Sequence, residues 1–240
     1  TENVIRACQQ SGVGRLVFTS SPSVVFAGED HEGVDETTGY AERYHSPYAH
    51  TKAIAERRVL SANSPQLATV ALRPHLVWGP GDPHLIPQII DRARRGRLAR
   101  IGHGRFRVGA TYIDNAAAAH IDAIVRLGPD TACAGKAYFI SQDEPVDLWE
   151  FVNRVLTIAG IEPVTRVVPR WLALLAASVV ELVYALARAR SAPPLTRFIV
   201  HELSSSHWYD IGAARRDLGY VPAVSVAEGL RRLAADWASH

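Results

Sequence analysis

Arg15-Leu16-Val17-Phe18-Thr19-Ser20-Ser21 decides the fold, because it is a short apolar run with polar serines directly behind it. Such a run is typical of a strand that is buried on both faces of a parallel sheet. A helical pattern follows at residues 48–60, and a second apolar run, residues 68–72, ends at Arg73-Pro74. Strand, helix and strand in this order predict a parallel α/β sheet, whose ligands lie at the carboxyl ends of the strands.

The segments around this unit extend the prediction. Residues 1–11 have helical periodicity and end at Gly12-Val13-Gly14, whereas residues 28–47 are acidic and turn-rich, which predicts a loop. Beyond Trp78-Gly79-Pro80-Gly81 the pattern becomes irregular. Further elements are predicted as helices at residues 85–97 and 115–127, the second capped by Asp114 and Asn115, and as a strand at residues 136–140.

We therefore predict an α/β fold with two parts. The first part, residues 1–78 and 109–142, carries the parallel sheet, and the family resemblance described below implies that it is the carboxyl-terminal part of a doubly wound, Rossmann-type dinucleotide-binding domain. The second is a smaller, mostly helical substrate domain formed by residues 79–108 and 143–240.

The composition is that of a globular protein. Of the 240 residues, 48% are hydrophobic and 21% are charged, which excludes disordered and fibrous chains. The net charge of +2 and the lack of a recognised nucleic-acid motif around the seven arginines between residues 92 and 107 argue against nucleic acid as a partner. Cys8 and Cys133 lack metal-type spacing, which argues against disulfides and a metal site and favours a cytoplasmic location.

One stretch of the predicted substrate domain raises the question of membrane contact. Residues 171–187 are apolar apart from Ser178 and Glu181, but they are fewer than the roughly 20 needed to cross a bilayer. We expect this helix to be buried or to line a channel for alkyl chains, with association to a membrane surface as the less favoured alternative.

Tyr48-Ala49-His50-Thr51-Lys52 is the strongest functional feature. A Tyr and a Lys four residues apart project from the same face of a helix. An ordinary phenol has a pKa near ~10, and a nearby ammonium lowers it, so that the hydroxyl can exchange a proton with a carbonyl or alcohol oxygen. Ser21, at the end of the preceding strand, can hydrogen-bond the same oxygen. These three residues suffice for interconversion of a carbonyl and an alcohol with a nicotinamide cofactor.

The spacing of Tyr48 and Lys52 is rare by chance. The chain has two lysines and eight tyrosines, for which random placement gives roughly 0.07 such pairs. The alternative, that both side chains merely occupy a helix surface, is therefore disfavoured.

The sequence resembles that of extended short-chain dehydrogenases. The landmarks, in family order, are Phe18-Thr19-Ser20-Ser21, Tyr48-x-x-x-Lys52, Leu72-Arg73-Pro74-His75-Leu76-Val77-Trp78-Gly79-Pro80-Gly81 and Tyr112-Ile113-Asp114-Asn115. Within this superfamily the chain is most similar to the 3β-hydroxysteroid dehydrogenase branch, and there to the bacterial 2-alkyl-3-oxoalkanoate reductases of olefin biosynthesis. The closer similarity rests on Leu195-Thr196-Arg197-Phe198, His207-Trp208-Tyr209-Asp210 and Ala213-Ala214-Arg215-Arg216-Asp217-Leu218-Gly219-Tyr220.

The resemblance implies a role for each landmark. It makes Tyr48 the acid and base, Lys52 the residue that tunes Tyr48 and binds a ribose hydroxyl, and Ser21 the anchor of the reacting oxygen. The remaining implied residues are, for the cofactor, Thr19, Ser20, Pro74, His75, Leu76 and Val77 and, for the substrate, Ser23, His75 and Tyr112.

The resemblance also shows a departure. The family opens with a strand and a Gly-rich turn that seats the pyrophosphate on a helix N-terminus, whereas Gly12-Val13-Gly14 precedes a strand. The chain begins at Thr1 without an initiating methionine and without the features of a signal peptide. We expect an N-terminally truncated chain from a longer gene product, with one open sheet edge and with NAD or NADP as the cofactor.

The predicted function is NAD(P)-dependent reduction of a 3-oxo group, or oxidation of a 3-hydroxy group, on a small hydrophobic substrate. A 2-alkyl-3-oxoalkanoate is the first candidate and a 3β-hydroxysterol the second. A nucleotide-sugar epimerase or dehydratase shares the Ser and Tyr-x-x-x-Lys residues, but the hydrophobic C-terminal region favours a lipid-like ligand. A non-catalytic NAD(P)-binding protein is the alternative from another class, and a homodimer or a complex with pathway enzymes is compatible with each of these functions.

Overall fold

The computed structural model describes residues 1–188, 191 and 193–239, in which helices surround a small parallel sheet. The α-helices of this part of the chain are α1 (Glu2–Gln10), α2 (Pro47–Ser61), α3 (Leu85–Arg94), α4 (Ile113–Arg126), α5 (Leu148–Ile158), α6 (Arg170–Leu186), α7 (Arg197–Glu202) and α8 (Val226–Ala238). The strands are β1 (Arg15–Thr19), β2 (His31–Val34), β3 (Ala68–Pro74), β4 (Val77–Trp78), β5 (Arg100–Ile101), β6 (Arg107–Val108), β7 (Thr111–Tyr112), β8 (Lys136–Ile140), β9 (Val146–Asp147), β10 (Val167–Val168) and β11 (His207–Tyr209). Pro22–Val24 forms a 3₁₀-helix and Ala214–Leu218 a π-helix.

The central sheet has three parallel strands in the order β1, β3, β8, which confirms the predicted α/β architecture. β3 is buried along almost its whole length, because it lies between the other two strands. It runs two residues beyond the predicted end at residue 72, since Pro74 pairs with Ile140 of β8. The predicted serines therefore follow β1 at the same edge of the sheet at which β3 ends.

The predicted loop at residues 28–47 contains a strand. β2 pairs in parallel with β11, and Trp208 of β11 lies opposite Glu32. The pattern of residues 28–47 did not indicate this strand, because its hydrogen-bonding partner lies far along the chain. α3 also differs from the prediction and ends at Arg94, because Gly96 adopts a positive φ of 63° that ends the helix.

The main core joins the sheet to α4 and to a segment near the C-terminus. Val70 and Leu72 of β3 pack with Ala119 and Ala123 of α4, and residues 211–220 complete the cluster with Ile211, Ala214, Leu218 and Tyr220. The division of the chain into two domains stays a prediction. Residues 211–220, which were assigned to the predicted substrate domain, pack against the central sheet.

Asn115 has a different role from the predicted helix cap. α4 begins at Ile113, and Asn115 is buried within its first turn. The Asn115 side chain donates to the Val224 carbonyl oxygen at 2.7 Å and accepts from the N–H groups of Ala223 and Val224 at 3.0 Å. It therefore ties the segment before α8 to the central fold.

The prediction that the apolar helix at residues 171–187 is buried was wrong. Of its residues only Ala173 and Ala177 are buried, where α6 packs against α7. A stripe of large apolar side chains is exposed, which comprises Trp171, Leu172, Leu175, Val179, Leu182, Val183 and Leu186. Among the described residues, no helix has the length and apolar character that crossing a membrane requires.

Candidate active site

Helix α2 carries Tyr48 and Lys52 in its first two turns. It begins at Pro47, which suits this position because the first N–H of a helix needs no helical acceptor. The Ser46 hydroxyl oxygen caps the helix by accepting from the Ala49 N–H at 3.2 Å. Tyr48 is 53% exposed at this end of the helix, so a ligand can reach its ring.

Lys52 joins α2 to the end of β1. Its Nζ atom donates to the Thr19 carbonyl oxygen at 2.7 Å and lies 5.9 Å from the centroid of the Tyr48 ring. Partial burial lowers the pKa of the Lys52 ammonium, and the neighbouring Glu56 carboxylate opposes this shift. The ammonium is therefore held at the carboxyl end of β1 and near the Tyr48 ring, and its role in catalysis stays a prediction.

A buried ion pair behind Lys52 holds α2 against the sheet. The Arg73 guanidinium donates to the Glu56 carboxylate at 2.6 and 3.1 Å, and both side chains are almost fully buried. The Tyr40 hydroxyl donates to the same carboxylate at 2.8 Å. Burial, together with this carboxylate, raises the pKa of Tyr40 to about 12. This pair was not predictable from the sequence, because Glu and Arg are usually exposed and carry no signal for burial.

The serines after β1 have different environments. The Ser21 hydroxyl oxygen accepts from the Ser23 N–H at 3.2 Å and from the Ser23 hydroxyl at 3.0 Å. The hydrogen of the Ser21 hydroxyl remains available for a ligand, and the two bonds that its oxygen accepts strengthen it as a donor. Ser20 is 3% exposed, and its hydroxyl has no hydrogen-bond partner in the described part of the chain.

The segment from Pro74 to Val77 bends sharply at the end of β3. Leu76 has a φ of +39°, in the left-handed region that a leucine rarely adopts. Thr111 holds the bend, since its hydroxyl donates to the His75 carbonyl oxygen at 2.6 Å and its N–H donates to that of Leu76 at 3.2 Å. Strained backbone of this kind is concentrated at ligand sites, which supports the predicted position of this segment beside the nicotinamide.

His75 belongs to a cluster that the sequence did not reveal. Its ring is 7% exposed, and its Nε2 atom lies 3.1 Å from Nδ1 of His207, which is 132 residues away in the chain. Side-chain atoms of His75, Glu202 and His207 lie within 4.8 Å of one another, and these three residues are named the His–Glu cluster. Burial lowers the pKa of His75 well below its ordinary value and raises the pKa of the Glu202 carboxyl. The prediction that the protein has no metal site stays a prediction.

The other predicted residues have contacts within the protein. The Thr19 hydroxyl lies 2.8 Å from Nε2 of His120. Tyr112 is 2% exposed, and its ring contacts the Trp78 ring edge-on with 5.3 Å between centroids. These contacts give Tyr112 a place in the core, and its contact with substrate remains a prediction without support.

An apolar cavity of about 240 Å³ lies beside the His–Glu cluster. Its walls come from α3, α5 and α7, and Leu76 of the bent segment also lines it. Helix α6, which the sequence predicted to be buried or to line a channel, does not line this cavity. Its polar lining consists mainly of Gln88, Arg92, Glu202 and His207.

The residues at the carboxyl ends of β1 and β3 fit the nicotinamide half of a dinucleotide. Ser20 has a buried hydroxyl that lacks a partner, and the Lys52 ammonium has donors left after its bond to Thr19. Within residues 1–188, 191 and 193–239 there is no strand followed by a Gly-rich turn and a helix, the unit that binds a pyrophosphate. The described residues therefore offer groups that suit the reacting half of the cofactor, and the individual cofactor contacts stay a prediction.

Solved structures share this architecture. The UDP-glucuronic acid 4-epimerase of Bacillus cereus in complex with NAD aligns with a TM-score of 0.69 and 20% identity over 99% of this chain and 66% of that chain. RMD from Pseudomonas aeruginosa, complexed with NADPH, aligns with a TM-score of 0.67 and 17% identity over 100% of this chain and 72% of that chain. At these identities the likeness shows the fold alone.

The fold and the relatives together define an NAD(P)-dependent oxidoreductase of the extended short-chain dehydrogenase type. Residues 1–170 match the 3-beta hydroxysteroid dehydrogenase/isomerase family, and the chain belongs to that family.

Several curated relatives are more similar in sequence than these structures. A 2-alkyl-3-oxoalkanoate reductase of Stenotrophomonas maltophilia is 51% identical over 100% of this chain and 73% of the relative. A protein of the same name from Shewanella oneidensis is 48% identical over 97% of this chain and 62% of the relative. The sterol-4-alpha-carboxylate 3-dehydrogenase, decarboxylating, of Mus musculus is 37% identical over 97% of this chain and 66% of the relative. The chain thus spans between 62% and 73% of the length of these proteins.

Proposed function

We propose that the protein reduces the 3-oxo group of a 2-alkyl-3-oxoalkanoate with NAD(P)H. The observation that carries the proposal is the Lys52 ammonium, which is bound to the Thr19 carbonyl oxygen and lies 5.9 Å from the centroid of the Tyr48 ring. Together with Ser21 at the end of β1, this arrangement supplies an acid, a charge that favours its ionised form, and a donor for the reacting oxygen.

The reaction balances with these groups. NAD(P)H, when bound, would supply the hydride that carbon 3 of the substrate accepts. The Tyr48 hydroxyl gives its proton to the carbonyl oxygen, so that the C=O double bond becomes a C–O single bond with a new C–H and a new O–H bond. The Ser21 hydroxyl donates a hydrogen bond to the same oxygen while its charge increases. The Lys52 ammonium stabilises the phenolate that remains on Tyr48.

The substrate class is supported by the cavity and by the relatives. An apolar cavity bounded by α3, α5 and α7 suits an alkyl chain. The names 2-alkyl-3-oxoalkanoate reductase and sterol-4-alpha-carboxylate 3-dehydrogenase both denote a carboxylate on the carbon next to the reacting carbon 3. We therefore assign a hydrophobic 3-oxo acid to this protein, with the 2-alkyl-3-oxoalkanoate first because the identity is 51% in that group and 37% in the other.

A carboxylated 3β-hydroxysterol is the second candidate, and the same relatives support it at lower identity. A nucleotide sugar fits less well, since the cavity wall is mainly apolar. A non-catalytic NAD(P)-binding role would leave the exposed Tyr48 side chain and the Ser21 hydroxyl without a function in turnover.

The proposal is tested by mixing the purified protein with NADPH or NADH and a 2-alkyl-3-oxoalkanoate and following absorbance at the nicotinamide band. Tyr48→Phe removes the proton donor but keeps the ring, so we expect kcat to fall by a factor of about 100 or more. Tyr184→Phe is the matched control, because Tyr184 lies on α6, outside the predicted site, and its activity should stay near that of the parent. Equal turnover by the parent and by Tyr48→Phe would contradict the assignment.

A further inference from the structure

The apolar cavity between α3, α5 and α7 has one arginine in its wall. Helix α3 contributes four of the described residues that line the cavity, Leu85, Gln88, Ile89 and Arg92. Their spacing places them on one face of the helix. Arg92 stands at the C-terminal end of this face, about 10 Å along the helix axis from Leu85.

The charge of Arg92 is not compensated within the described part of the chain. No ion pair there joins its guanidinium to a carboxylate, and its neighbour Asp91 is paired with Arg95 at 2.8 Å. Nη2 of the half-buried Arg92 donates to the Pro194 carbonyl oxygen at 3.3 Å, which links α3 to the segment before α7. A guanidinium has five N–H donors, so most of those of Arg92 remain for a ligand.

The other polar groups of the cavity belong to a different wall. Glu202 and His207 come from α7 and β11, and no ion pair joins Glu202 to Arg92 among the described residues. The attraction for an anion is therefore at the α3 wall. The lining contains none of Ser21, Tyr48 and Lys52, so a ligand held by Arg92 does not have to be the reacting molecule.

We propose that this cavity binds a single-chain fatty acid, with its carboxylate on the Arg92 guanidinium and its alkyl chain between α3, α5 and α7. One guanidinium matches one carboxylate, since its parallel N–H groups can bind both carboxylate oxygens. The mainly apolar wall suits the chain. A methylene takes about the volume of a water molecule, ~30 Å³, so the cavity of about 240 Å³ accommodates about eight carbon atoms.

This site goes beyond the proposed function, because the fatty acid has no 3-oxo group and is not reduced. Leu76, which follows the predicted nicotinamide-binding residues Pro74 and His75, also lines the cavity. A bound fatty acid therefore occupies the space that the proposed function gives to the alkyl chain of the substrate, and the two molecules compete.

The experiment is calorimetric titration of the chain with octanoate and with 1-octanol, which has the same chain length but no charge. We expect the parent to bind octanoate at least about tenfold more tightly than 1-octanol, because a hydrogen bond to a charged group is the stronger one. Arg92→Gln should raise Kd for octanoate by about tenfold or more and Kd for 1-octanol by less than about threefold. Arg92→Lys keeps the charge without the fork and should retain part of the difference.

Arg94→Gln is the matched control. Arg94 lies on the same helix, is exposed and does not line the cavity, so its removal should leave both values of Kd near those of the parent. Its net charge equals that of Arg92→Gln, which separates a local contact from a general effect of surface charge.

A series from hexanoate to dodecanoate tests whether the chain lies in the cavity. The affinity should rise about fourfold for each added methylene up to about eight carbon atoms, because each one leaves water. It should then level off, since the cavity is full.

Four results would overturn the assignment. They are no binding of octanoate at millimolar concentration, equal weakening of octanoate and 1-octanol in Arg92→Gln, equal loss of octanoate binding in Arg94→Gln, and an affinity that still rises fourfold per methylene through dodecanoate. These titrations contain neither cofactor nor 3-oxo acid. If they fail while Tyr48→Phe abolishes reduction, the proposed function stands without the fatty acid site, and the site stands alone in the opposite case.

Discussion

At the residue scale, the buried Glu56 and the half-buried Glu202 show how differently a carboxyl group can be accommodated. Glu56 has a bidentate guanidinium and a phenol as partners, so its charge is compensated within the fold. The Glu202 carboxyl has no such partner, and its pKa is raised by burial. The first arrangement is structural, because it holds α2 and thereby Lys52 against the sheet. The second leaves a polar group available to a ligand.

We predict that Glu56→Ala lowers the free energy of unfolding by about 3–5 kcal/mol, because it leaves the Arg73 charge buried and unpaired. Urea unfolding at pH 7 measures this difference. Glu2→Ala is the control, since its ion pair with Arg58 is exposed on both sides and should contribute no measurable stability. A loss in Glu56→Ala no larger than in the control would show that the Glu56 ion pair does not hold α2.

At the element scale, α6 packs through small residues and leaves its large ones outside. Ala173 and Ala177 face α7, and their size allows the two helices to approach closely. The hydrophobicity of residues 171–187 alone predicted that this helix is buried. In the fold, α6 contacts α7 only along a narrow face of alanines. The exposed leucines and valines therefore contribute little to the free energy of unfolding.

We predict that Leu182→Gln changes the free energy of unfolding by less than about 0.5 kcal/mol, since Leu182 is exposed. Ala177→Leu should lower it by about 1–3 kcal/mol, because the larger side chain overfills the contact with α7. Thermal or urea unfolding of both variants provides the comparison. A larger loss for Leu182→Gln than for Ala177→Leu would mean that the exposed stripe is packed in the native protein.

At the scale of the whole molecule, the His–Glu cluster links the strand-end segment of the central sheet to α7 and β11. His207 opposes the effect of burial by lowering the pKa of the Glu202 carboxyl, and Glu202 in turn raises the pKa of Tyr209. Burial raises the pKa of Glu202 above its ordinary 4.5, so the folded chain binds more protons at this group than the unfolded chain. The stability that follows is present below pH 4.5 and is lost as pH rises through the folded pKa.

We therefore predict that Glu202→Gln, which is neutral at every pH, has a higher Tm than the parent at pH 7. The advantage should shrink towards zero below pH 4.5, where the parent carboxyl is protonated in both states. His75 titrates in the opposite sense, since its lowered pKa costs stability as pH falls below 6.5, but both proteins retain it. Calorimetry between pH 4 and 8 measures the difference, and a difference that does not vary with pH would contradict the prediction.

The sequence by itself determined the elements whose evidence is local. The strands at residues 15–19, 68–72 and 136–140 and the helix carrying Tyr48 and Lys52 follow from short-range periodicity, and the structure contains all of them. The spacing of Tyr48 and Lys52 predicts that their side chains lie on one face of the helix, because one helical turn separates them. The family could also be identified from the sequence, since its landmarks are contiguous stretches of residues.

Tertiary structure decided what depends on residues far apart in the chain. β2 needs β11, the bend at Leu76 needs Thr111, and the His–Glu cluster needs His207 beside His75 across 132 residues. The exposure of α6 likewise depends on which of its faces meets another element. A local pattern records the preference of a segment for helix, strand or burial. Which distant groups share one pocket, and which polar atoms are left without partners, is set only when the chain packs.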